Sequence, residues 1–117
     1  MPEILDLLTA NLHRVFGNRD ADSRAAAARE VYAEDVVFTD PDETVVGLDA
    51  LLRKAAGLIG GVPPEVGFED EGPAYVSDGF GAQAWRLGPA DAPLARGIDV
   101  VTVRDGRITE LRTALVP

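Results

Sequence analysis

The chain has 117 residues, a formal net charge of -9 from 20 acidic against 11 basic side chains, one histidine and no cysteine. That length suits a single domain, 1–117, with room for a core, and the charge repels polyphosphate and anionic lipid, so neither a nucleic-acid nor a membrane partner is expected. Without cysteine there are no disulfides, no thiol catalysis and no thiolate metal site, and one histidine is too few to build a transition-metal site.

The start, Met1-Pro2-Glu3-Ile4-Leu5-Asp6, lacks the basic stretch and unbroken apolar run of a signal peptide, and no later segment is long enough to span a bilayer. A cytoplasmic protein is the expectation. From Glu3 to Phe16 the residues Leu5, Leu8, Leu12, Val15 and Phe16 recur at helical spacing, and Gly17-Asn18 stops the helix. His13 lies about 100° around that helix from Leu12, at the edge of the apolar stripe. Asp20, Asp22 and Ser23 suit an N-cap for a second helix, Arg24 to Tyr32, whose alanines permit close packing. Tyr32 reads as a core residue with its hydroxyl near the surface.

A strand follows, in which Val36, Phe38 and Asp40 share one face and Val37 and Thr39 the other. It ends at Pro41. Thr44 to Val46 is a brief strand, and Gly47 opens a third helix with Leu48, Leu51, Leu52, Ala55 and Ile59 on one side, ended by Gly60-Gly61 and Pro63-Pro64. Strands then dominate: Val66 to Phe68, Ala74 to Val76, Gly81 to Leu87 and Arg96 to Val103. Asp105-Gly106, between two apolar runs, is a two-residue hairpin turn. The class is α+β with an antiparallel meander. In the final hairpin Val101, Val103 and Ile108 fall on one face and Ile98, Val100, Leu111 and Leu115 on the other, so a homodimer through the sheet is expected, with the C-terminus folding over that face as the alternative.

The segments Tyr32 to Pro41, Val46-Gly47-Leu48-Asp49-Ala50-Leu51 and Gly97 to Ile108 resemble the SnoaL-like branch of the nuclear transport factor two superfamily. That resemblance implies a cone-shaped α+β barrel, a strongly curved antiparallel sheet wrapped around three helices with an apolar pocket between them. It implies little about chemistry, since one scaffold hosts isomerases, polyketide cyclases, hydrolases and proteins with no reaction. By analogy with ketosteroid isomerase, a worked case of carboxyl tuning, Asp40 before Pro41 resembles the proton-shuttling aspartate and Asp99 the strand aspartate that donates to an oxyanion. The tyrosine that completes that set falls on His13 in one alignment and on Leu12 in another.

Each carboxyl has a second reading. Asp40 is either a base whose pKa an apolar pocket raises or a cap on the turn at Pro41. Asp99 is either a neutral donor or, if the hairpin is regular, the cross-strand ion-pair partner of Arg112, which could alternatively orient a carboxylate at the cavity mouth. Trp85 and Leu87, alternating with Gln83 on one strand face, join Phe16 and Phe38 as candidate walls for an apolar small-molecule ligand, with ordinary core as the alternative. There is no phosphate-binding glycine loop and no Ser-His-Asp set. Two functions stay open: a cofactor-independent isomerase or cyclase working by carboxylate acid-base chemistry on an apolar carbonyl compound, and a non-catalytic dimeric binding module.

Overall fold

A computed structural model describes residues 3–117; Met1 and Pro2, part of the N-terminal stretch read above, lie outside it. Helix α1 (Ile4–Ala10) runs into a π-helical segment, Asn11–Phe16. There the Gly17 N–H reaches back five residues to the Leu12 carbonyl at 2.8 Å, where a side chain on Gly17 would strike that same oxygen. The wider turn buries Asn11, Leu12, Val15 and Phe16 and leaves His13 and Arg14 outside. Such π segments recur at functional sites because they re-aim side chains that a regular helix would place elsewhere.

Helix α2 (Ala21–Val31) begins after Asp20, earlier than its alanine run suggests, and buries Ala27, Ala28 and Val31 against the π segment. The chain turns extended at Tyr32 and enters β1 (Tyr32–Thr39), followed by β2 (Thr44–Val46). Gly47, at φ 101, caps helix α3 (Leu48–Gly60), and that backbone angle suits glycine alone. Leu51, Ala55 and Ile59, each four residues apart, form the buried edge of α3. Five strands remain: β3 (Phe68–Asp70), β4 (Tyr75–Ser77), β5 (Phe80–Leu87), β6 (Ala95–Arg104) and β7 (Arg107–Leu115).

These make one curved, unclosed sheet of seven strands in the order β2-β1-β7-β6-β5-β3, with β4 also paired to β5. The curved sheet is antiparallel as expected except at one pair: β1 and β7 run parallel, Phe38 beside Leu111 and Thr39 beside Arg112. Strand β7 returns from the Asp105-Gly106 turn against β6, and its other edge is filled by β1, which the helical layer delivers in the same direction. Inside the curve, Val36, Phe38, Val101, Ile108 and Leu111 pack against Leu8, Val15, Ala28 and Leu51. Each such large side chain contributes roughly 1.5–3 kcal/mol on burial.

The turn adopts the expected backbone, with φ 54 at Asp105 and 76 at Gly106. The strands beyond it do not stay in simple register. Val103 faces Ile108 but Thr102 faces Glu110, so Thr109 is an extra residue in β7. That bulge carries Leu111 opposite Val101 and Leu115 opposite Gly97, on the concave face, which corrects their assignment to the outer one. The outer face still carries Ile98 and Val100, each 37% exposed.

Candidate functional site

Two hollows stand out among the described residues. The larger, ≈ 960 Å³, is an open groove where the end of α2 meets the start of α3, bordered by Arg29, Arg53, Arg107, Glu34 and Asp49, all exposed. The smaller, ≈ 130 Å³, opens between the helices and the concave sheet face and is walled by Leu12, Phe16, Phe38, Phe68, Trp85, Leu58 and Leu115. Size favours the groove, but only the smaller cavity holds a buried carboxyl, Asp99, which makes it the candidate site. Phe16 meets Phe38 edge to face at 5.4 Å and Phe68 meets Trp85 likewise at 5.2 Å. Asp40, Pro41, Asp42, Asp99 and Thr113 complete the lining.

Asp99 is 6% exposed, on the concave face of β6. Its Oδ1 accepts the Thr113 hydroxyl at 2.7 Å and the Trp85 indole N–H at 3.1 Å, while Oδ2 accepts the Asn11 amide at 2.8 Å. Asn11 is itself fully buried and accepts the Tyr32 hydroxyl on its Oδ1. Burial raises the Asp99 carboxyl above its ordinary value, and the bonds from Thr113, Trp85 and Asn11 pull the other way without cancelling it. Burial, and then the field of Asp99, holds the Tyr32 phenol well above its usual range. At 1% exposure and bonded to the buried Asn11, the Tyr32 hydroxyl lies in the core rather than near the surface.

Asp40 lines the same cavity at the end of β1, yet its carboxylate is fully engaged. Oδ1 accepts the backbone N–H of Asp42 at 2.9 Å and of Glu43 at 3.1 Å, and Oδ2 sits 2.9 Å from Lys54 Nζ. Lys54 also bridges to Glu43 at 2.8 Å. Burial works to raise Asp40, but the bonds from Lys54 and the two amides outweigh it and hold the carboxyl below its ordinary value. The expected raised pKa is thus reversed. The two readings of Asp40 do not exclude each other: it caps the turn and faces the cavity at once.

The other candidates divide. Phe16, Phe38 and Trp85 line the cavity with Asp40 and Asp99. His13 does not join them; the π segment turns it outward, where Nε2 meets Asp70 Oδ1 at 2.8 Å, and it is Leu12 that faces the cavity. Leu87 is buried beside Leu12 and Trp85 in a core cluster but is not part of the cavity wall. Arg112 stands opposite Val100 on the outer face, pairs with Glu110 at 3.3 Å, and makes no bond to Asp99. The Thr109 bulge is the reason: it sets Thr113, not Arg112, across from Asp99. Asn11, Thr113 and Lys54 were missed. Asn11 had a readable signal, since it lies three residues after Leu8 and four before Val15, a polar residue inside the apolar stripe.

Among the described residues no three His, Cys, Asp or Glu side chains converge at metal-ligand spacing, and no helix is long and apolar enough to cross a membrane. No curated protein matches the chain. Among solved structures, a proposed isomerase of the SnoaL-like family from Agrobacterium tumefaciens str. C58 superposes with a TM-score of 0.86 at 23% identity, covering 100% of both chains. A proposed SnoaL-like polyketide cyclase from Jannaschia sp. CCS1 gives 0.78 at 16% identity, over 98% of this chain and 89% of that one. A proposed ketosteroid isomerase from Kribbella flavida DSM 17836 gives 0.71 at 18%, over 95% and 76%. These likenesses show the fold. The SnoaL-like domain family model matches residues 10–111, nearly the whole span from the π segment to the centre of β7, and the chain therefore belongs to the SnoaL-like family.

Proposed function

We propose that this chain binds a small apolar carbonyl compound in the cavity between Asp40 and Asp99 and moves a proton on it without a cofactor, in the manner of an isomerase or cyclase. The observation that carries the reading is the opposite tuning of two carboxyls lining one cavity: Asp99 raised by burial, Asp40 lowered by Lys54 and two amides. Environments that push paired carboxyls apart assign the acid and the base. Asp99, protonated on Oδ2, donates to the carbonyl oxygen where negative charge develops, while Oδ1 stays carbonyl-like under the Thr113 and Trp85 donors. Asp40 takes the proton from the neighbouring carbon. A base held so low is a weak one, so the substrate must carry an already acidified C–H bond.

Cavity size narrows the substrate. A void of ≈ 130 Å³ is close to the roughly 150 Å³ that admits benzene, which suits a single ring and not a fused polycycle. The test is deuterium incorporation next to the carbonyl of single-ring ketones in heavy water, followed by NMR. Exchange above the buffer rate that falls about 100-fold in both Asp40→Asn and Asp99→Asn supports the reading. Ligand-induced shifts of Trp85 with no exchange would leave the second reading, a binding module. That reading draws support from the saturation of Asp40, whose two oxygens are already engaged.

The outer sheet face supports a homodimer. Tyr75, Phe80, Ile98 and Val100 are 69%, 54%, 37% and 37% exposed there, an apolar patch that a second copy of the same face would cover. Val100→Glu should convert a dimer to a monomer in sedimentation; a wild-type protein that sediments as a monomer at high concentration refutes the assembly.

A further inference from the structure

The hydrogen-bond chain that reaches Asp99 from the helices never touches the cavity. Asn11 is 0% exposed and Tyr32 1%, and neither lines the smaller cavity, although Tyr32 also borders the larger groove. Tyr32 donates its hydroxyl to Asn11 Oδ1, and Asn11 Nδ2 donates to Asp99 Oδ2 at 2.8 Å. A primary amide is peculiar as a link, because its two ends have nearly the same shape and opposite polarity. Which end faces Asp99 is decided by what the other end meets. Here it meets a neutral phenol whose proton has Asn11 as its one side-chain acceptor. Turning the amide over would orphan that buried O–H.

We propose that Tyr32 and Asn11 are positioning residues that set the proton affinity of Asp99: the Tyr32 hydroxyl locks the Asn11 amide with its donor end on Oδ2. The assignment rests on the reading of Asp99 as the acid of the cavity. The lock makes Asp99 less reluctant to ionise than burial alone would leave it. It also reserves one side of Oδ2 for the exchangeable proton, since Thr113 and Trp85 both bond to Oδ1. The other groups facing Asp99 are Gln83, its cross-strand neighbour on β5, and Asp40 and Asp42 on the cavity wall, with Lys54 behind Asp40. None of these touches the amide lock.

The distinguishing variant is Tyr32→Phe, which keeps the ring and removes the lock. Freed, the Asn11 amide turns its oxygen to Asp99, where only a protonated carboxyl satisfies it, and the proton affinity of Asp99 rises roughly tenfold. A tyrosine that merely fills space predicts no upward shift: phenylalanine keeps the ring, so the Asp99 midpoint stays, or falls if water enters where the hydroxyl was. The measurement is a carboxyl ¹³C NMR titration of Asp99 in wild type, Tyr32→Phe, Asn11→Leu and the double variant. The expected pattern is an upward midpoint in Tyr32→Phe and in Asn11→Leu, with Tyr32→Phe adding nothing once Asn11 is gone. A midpoint that stays or falls in Tyr32→Phe, or a Tyr32→Phe shift that persists in the Asn11→Leu background, overturns the proposal. Should the variants not fold, wild type still decides. The Asn11 side-chain amide proton must move with the Asp99 titration, and an amide signal indifferent to it rejects the lock. No substrate enters this experiment, so a midpoint that behaves as expected beside a failed deuterium-exchange assay would sink the catalytic reading and leave the lock standing.

Discussion

Thr113 stands directly across from Asp99 on the β6–β7 pair and donates its hydroxyl to Asp99 Oδ1 at 2.7 Å. A regular hairpin from the same turn would have placed Arg112 there. One extra residue, Thr109, decides whether a buried carboxyl meets a neutral hydroxyl, which leaves it free to hold a proton, or a guanidinium, which would keep it ionised.

Replacing Thr113 with valine keeps the shape and removes the donor. The expected cost is about 1–2 kcal/mol where Asp99 is ionised and less where it is protonated, because a hydrogen bond is worth more to a charged acceptor. Urea unfolding at several pH values measures both. Equal losses across the range would show that the hydroxyl does not discriminate between the two states.

The two carboxyls impose opposite pH dependences on stability. Asp99 has a raised midpoint in the folded protein, so between the ordinary carboxylate value and that midpoint the native state holds a proton the unfolded chain has lost, and stability falls as pH rises. Asp40 has a lowered midpoint; its contribution is present above the ordinary value and disappears as pH falls through the folded one. Asp99→Asn should flatten the decline on the alkaline side, and Asp40→Asn the loss on the acid side. Urea midpoints from pH 2 to 8, on the order of one unit apart, separate the two. An Asp99→Asn profile parallel to wild type would contradict the burial of that charge.

Lys54→Met leaves the Asp40 carboxylate with its two backbone donors alone. Its midpoint moves up, by carboxyl NMR, and stability falls by about 1 kcal/mol, a modest loss because Asp40 keeps its two backbone donors and the second partner of Lys54, Glu43, is exposed to water and salt. The same difference should shrink in concentrated salt. A salt-independent loss would mean that Lys54 acts through the packing of its stem.

Gly97 lies on β6 beneath the indole of Trp85. A Cβ there would come within 2.6 Å of the Ala114 carbonyl and 2.7 Å of Trp85 Cζ2, so Gly97→Ala must shift the β7 backbone at Ala114 and the indole together. The expected cost is about 1–3 kcal/mol of overpacking. Trp85 is the sole tryptophan, so its fluorescence reports the displacement directly. An unchanged emission spectrum would show that the backbone shift alone makes room and the ring stays in place.

Much of the fold was readable because it follows from local rules. Helical spacing located α1 and α3, the glycine, proline and aspartate clusters around them located β5 and β6, and Asp105-Gly106 announced the last hairpin. Alternation also placed Phe38 and Asp40 on one side, and both reach the cavity. What escaped was each departure from regular geometry. The π turn, which lets the Gly17 N–H reach the Leu12 carbonyl, had no local signal, although helical spacing had already put Leu12 in the apolar stripe and His13 at its edge. The Thr109 bulge reversed the faces of Leu111 and Leu115 and cancelled the Asp99 to Arg112 pairing. The charge of Asp40 was misjudged for a different reason: Lys54 comes from α3, and nothing local in the sequence says that its ammonium returns to that turn.

The parallel pairing of β1 with β7 has a consequence for how the molecule comes to be. Phe38 and Leu111 are neighbours in the sheet though 73 positions separate them, and β7, last of the seven strands to be synthesised, lies between β1 and β6. Until it arrives, β1 and β6 expose bare edges, and Asp99 lacks Thr113. Contacts of such separation must close a long loop before they repay it, which places folding on the slow side, in milliseconds to seconds. A chain still lacking β7 therefore cannot finish the cavity, and any sheet it forms leaves the edges of β1 and β6 unpaired.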